Sequence, residues 1–129
     1  MKTKPLAVLL MVVGLLMVSG PAFAHHSEAA YDLTREITLK GTVTEFKFIN
    51  PHTRVHFQVK DEEGNVAQWV GEMAPPNNLR RAGWTRNSIQ AGDEITTTVH
   101  VARDGSKQAD IVTLEVNGKV LRGRERQDE

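Results

Sequence analysis

The chain contains no cysteine. Disulfides, thiolate chemistry and cysteine-type zinc sites are therefore excluded, and the fold must rest on its apolar core. Neither sign of charge is in excess, with 16 basic and 16 acidic residues. Nothing marks a polyanion partner, so no nucleic-acid role is expected. Catalytic signatures are missing as well: there is no GxSxG, no glycine-rich phosphate loop, no GxxxxGK and no HExxH. The carboxylates Asp61, Glu62, Glu63, Asp93 and Asp104 fall at turn positions, where they serve backbone geometry. The chain reads as a non-enzyme. Long apolar runs are scarce too. The one present, Leu6–Val18, has 13 residues, short of the roughly 20 that a spanning helix needs.

That run has a different use. Lys2 and Lys4 precede it, Gly20-Pro21 breaks it, and Ala22-Phe23-Ala24 supplies small residues at the two positions a signal peptidase reads. This predicts a signal peptide over residues 1–24, cleavage after Ala24 and export to the periplasm. The leader takes two lysines and no acid with it, so the mature chain is left two charges negative. His25–Glu129 is the length of one domain with a modest core.

What the mature part does have is alternation. In Glu36–Lys60, Ile37, Leu39, Gly41 and Val43 share one strand face, and Thr38, Lys40, Thr42 and Thr44 the other. Parity then switches at Phe46 and Phe48, which requires a bulge near Thr44-Glu45. Pro51 ends this first strand. Val55, Phe57 and Val59 make the apolar face of a second strand, with His52, Arg54, His56 and Gln58 opposite. Asp61–Asn65 is a hairpin loop, and Val66–Glu72 a third strand carrying Trp69. Asn77–Ala82 reads as a short helix, capped by Asn77 or Asn78 and stopped by Gly83. A short turn or helix follows at Trp84–Gln90. Glu94–Ala102 and Ile111–Val116 are strands four and five, the fifth with Val112, Leu114 and Val116 inward. Asn117-Gly118 returns a short segment, Lys119–Leu121. His25–Arg35 is an arm anchored by Tyr31 and Leu33, and Arg122–Glu129 a charged, frayed tail. Three meandering strands, a helix and two more strands match a mainly β fold, a small five-stranded OB-like Greek-key barrel with one short helix between strands 3 and 4. The domain spans residues 25–121, with the tail at 122–129. A small sandwich is the alternative.

The residue with the most chemistry is His25, because cleavage after Ala24 makes it the amino terminus. Its α-amine and an imidazole nitrogen can chelate one ion, and a body imidazole can complete a three-nitrogen plane. That donor set suits Cu(II), ahead of zinc. The amine's ordinary pKa of about 7.7–8.0 lets it bind near neutrality. His26 is a second local imidazole. His52, at the Asn50-Pro51-His52 turn, is the preferred distant ligand, with His56 near it and His100 on the fourth strand. The metal set is therefore His25, His26, His52 and His56, and the same histidines also read as solvated surface residues. Trp69 and Trp84 read first as core. On an open barrel face they would stack sugars or bases, and the chain would be an envelope interaction module for a glycan, peptide or protein.

Several strings taken together carry a resemblance. They are HHS at the mature start, Tyr31-Asp32, Gly41-Thr42-Val43, Asn50-Pro51-His52, Trp69 with Glu72, Asn78–Trp84, Gly92-Asp93 and Arg103-Asp104-Gly105-Ser106. From His25 to about Leu121 the chain resembles small exported bacterial proteins of a domain-of-unknown-function family, family 6152. The resemblance implies an exported barrel-like domain and no established activity.

Overall fold

A computed structural model describes residues 29–124. The leader, His25, His26 and residues 125–129 lie outside the described residues. Six strands and one helix follow in order: β1 (Tyr31–Lys47), β2 (Arg54–Lys60), β3 (Val66–Glu72), α1 (Pro76–Arg81), β4 (Glu94–Ala102), β5 (Gln108–Val116) and β6 (Lys119–Arg122).

The sheet order is β3-β2-β1-β4-β5-β6, and a parallel β3–β5 pairing closes the first five strands into a barrel. Closure is short, joining Val70–Glu72 to Gln108–Asp110. Where β3 leaves that edge of β5, the β6 hairpin takes it over from Thr113 to Val116. The expected barrel is present, with the helix between the third and fourth strands.

Strand β1 bends because of its sequence. Its register with β2 shifts between Val43 and Glu45, which makes Thr44 the extra residue of the expected bulge. Phe46 and Phe48 then turn toward the core, and Phe48 is buried. Gly41 permits the close approach at the bend, since a Cβ there would strike the Gln58 carbonyl oxygen. The core behind it runs through Val43, Val55, Phe57, Ile95, Val99, Ile111 and Leu114. Leu79, Trp84 and Ile89, from α1 and the turn after it, join the same cluster.

Four expectations are corrected. Neither Asn77 nor Asn78 caps α1: Pro75 holds the N-cap position with no side-chain bond, and proline follows at the start of the helix, where its missing N–H costs nothing. β5 starts at Gln108, and its pairing with β4 shifts between Thr98 and Val99. Val112 is the bulged residue, so Ile111 is fully buried while Val112 is only half-buried. Leu33 anchors nothing and is 46% exposed. Finally, the tail does not fray at Arg122. Gly123 donates to the Val112 carbonyl at 3.0 Å and accepts from the Ala74 N–H at 2.8 Å, packed so tightly on Ile111 that a Cβ would collide with it.

Candidate functional site: a polar belt around one end of the barrel

Outward-facing residues on successive strands line up across the barrel. Arg54 lies opposite Glu72, Glu72 beside Asp110, Asp110 opposite His100, and His100 opposite Glu36. The resulting belt crosses β2, β3, β5, β4 and β1. Cross-strand neighbours of this kind have Cβ atoms about 5 Å apart, within reach of charged side chains.

The side chains use that reach. Arg124 Nε donates to Asp110 Oδ1 at 2.5 Å, and its Nη2 lies 3.9 Å from Glu72 Oε1. Asp110 is buried, so this guanidinium supplies the counter-charge that burial of a carboxylate demands. His100 has Nδ1 3.4 Å from Asp110 Oδ2 and Nε2 3.4 Å from Glu36 Oε1. Both of its nitrogens therefore face carboxylates. His52 sits at the rim, with Nδ1 3.7 Å from Glu72 Oε1. That nitrogen is shielded and has no hydrogen-bond partner among the described residues.

Tyr31 brings the start of the described chain into this belt. Its ring is 5% exposed, yet it stands outside the contiguous core cluster. Burial first, then repulsion from Glu72 and Asp110, pushes its hydroxyl pKa up to about 12. Arg103 fixes the entry, its Nε donating to the Tyr31 carbonyl at 3.0 Å and its N–H to the Ala30 carbonyl at 2.9 Å.

The structure does not unite all the expected ligands. His25 and His26 lie outside the described residues. His56 is four residues beyond His52, about 13 Å along an extended strand, and pairs across to Val70 and Glu45. Its Nε2 is buried without a partner among the described residues. No group of three His, Cys, Asp or Glu among the described residues is arranged to hold a metal ion. The tryptophans are core: Trp84 is 1% and Trp69 8% exposed, so Trp84 offers no stacking face. Sequence reasoning did not single out Glu72, Asp110 and Arg124 as a group. Their one sequence signal is parity, each acid lying on the outward face of a strand.

A family model described as Family of unknown function (DUF6152) matches residues 12–111. The chain is a DUF6152 protein. No curated protein and no solved structure matches it. The DUF6152 match covers Tyr31, His52, Glu72, His100 and Asp110 of the belt, while Arg124 lies beyond its end.

Proposed function

We propose that the mature protein is an exported, periplasmic, non-enzymatic barrel that binds a metal ion, copper ahead of zinc. The ligands are the α-amine and imidazole of His25 and the Nε2 of His52, with His26 as a neighbouring donor. One observation carries this reading: His52 Nδ1 lies 3.7 Å from Glu72 Oε1 at the rim of the barrel. The separation is too long for a hydrogen bond, and the charge of the carboxylate favours a cation on the imidazole. Two further arguments support it. Tyr31, flanked by the same Glu72, marks where the amino-terminal arm enters, and the six residues back to His25 span about 20 Å when extended. His52 is therefore within reach of the terminus. His100 is passed over because both of its nitrogens face carboxylates, and His56 because of its distance along β2.

The test is Cu(II) calorimetry on protein whose first residue is verified by mass spectrometry as His25. His52→Ala should bind at least about ten-fold more weakly, and Glu72→Gln should also bind more weakly, through the lost carboxylate charge. Circular dichroism confirms that both variants fold. Equal affinity in wild type and His52→Ala would remove His52 from the site.

A further inference from the structure

A second site lies on another part of the barrel, and nothing in the metal reading uses it. The β3–β5 pairing begins only at Val70 and Gln108. Before that point β3 and the β4–β5 loop diverge. On the other side, the β1–β4 register slips between Tyr31 and Glu36, so Asp32–Arg35 swing out of the ladder. Between these two departures lies an open groove of about 500 Å³, within the size range of small-molecule sites.

Its lining is chemically one-sided. Arg35, Arg103 and Lys107 face it against a single carboxylate, Asp32. Asp32 is already engaged, accepting from the Thr34 N–H at 3.1 Å and the Thr34 hydroxyl at 2.7 Å. Among the described residues, none of the three cations lies within ion-pair distance of a carboxylate. Arg103 is held in place through its Nε, so its planar fork is pre-set. The floor is apolar, formed by Ile37, Val101 and the edge of Trp69, with the Lys107 ammonium 5.1 Å from the Trp69 ring centroid. Ser106 also lines the groove, its N–H donating to Asp104 Oδ1 at 2.9 Å.

We propose that this groove binds a phosphomonoester on a small organic body. Two guanidinium forks and an ammonium match three phosphate oxygens. The apolar floor takes the body. The site is independent of the metal, so the experiment is done in EDTA.

Full-length mature protein is titrated with glucose 6-phosphate, inorganic phosphate and glucose, followed by calorimetry and tryptophan fluorescence. Glucose 6-phosphate should bind, more weakly as salt rises, with inorganic phosphate weaker and glucose silent. The double variant Arg35→Glu/Lys107→Glu, both exposed positions, should bind at least ten-fold more weakly with an unchanged circular dichroism spectrum. Co-sedimentation with phosphatidic acid vesicles, lost in the same variant, would assign the phosphate to a lipid; sugar phosphate binding alone would assign it to a soluble ester. Absence of binding to both, or binding untouched by the double variant, overturns the proposal.

Discussion

Tyr31 is the chain's one tyrosine, so its ionisation can be followed without interference. Ultraviolet titration should place its midpoint near 12 rather than at the ordinary 10. A midpoint near 10 would mean that the ring is not enclosed. The folded state holds this proton more tightly than the unfolded chain does. The associated stability is thus fully present below pH 10 and is lost as pH climbs from about 10 through 12, on the order of 2–3 kcal/mol. Arg124 tests the belt from the other side. Arg124→Ala leaves buried Asp110 without its closest cation and should cost about 1.5–3 kcal/mol in urea denaturation. Tyr31 was readable as an anchor because it is a large apolar residue in a polar arm. Leu33 seemed its equal, but the ladder slips there and leaves it outside. Arg124 was not readable: it lies in a run of charged residues, and its partners are 14 and 52 positions away.

At the scale of elements, two glycines separate backbone from side-chain crowding. A Cβ on Gly41 meets the Gln58 carbonyl oxygen, which the β1–β2 ladder holds. A Cβ on Gly71 meets only side-chain atoms, Ile111 Cδ1 at 2.5 Å and Cγ1 at 2.8 Å, which can shift more readily than a carbonyl fixed in a ladder. Gly41→Ala should therefore destabilise the fold more than Gly71→Ala, within the 1–3 kcal/mol usual for overpacking. Thermal melts of the two proteins decide it, and the reverse order would refute the account of the bend. The β1 bulge was legible because Val43 and Phe46 break parity on sight. The β5 bulge was not, because Val112, Leu114 and Val116 alternate without a break and nothing in the pattern marks Ile111 as the inward residue. Only the pairing with β4 settles which residue is extra.

For the whole molecule, local patterns specified the strands and their meander. Barrel closure instead depends on three residue pairs between β3 and β5, far apart in sequence. That closure sets Glu72 beside Asp110 and so creates the belt. The candidate ligand His52 was legible from its turn, whereas its acidic neighbour Glu72 comes from β3, twenty positions away. His56 lies about 13 Å farther along the strand than His52. The claim that matters most is that processing creates a metal ligand at His25. One residue added before His25 tests it directly, because the extension moves the α-amine off that histidine and leaves every barrel residue unchanged. In Cu(II) calorimetry the extended protein should lose at least ten-fold in affinity relative to the protein beginning at His25; equal affinities for the two forms would contradict the account.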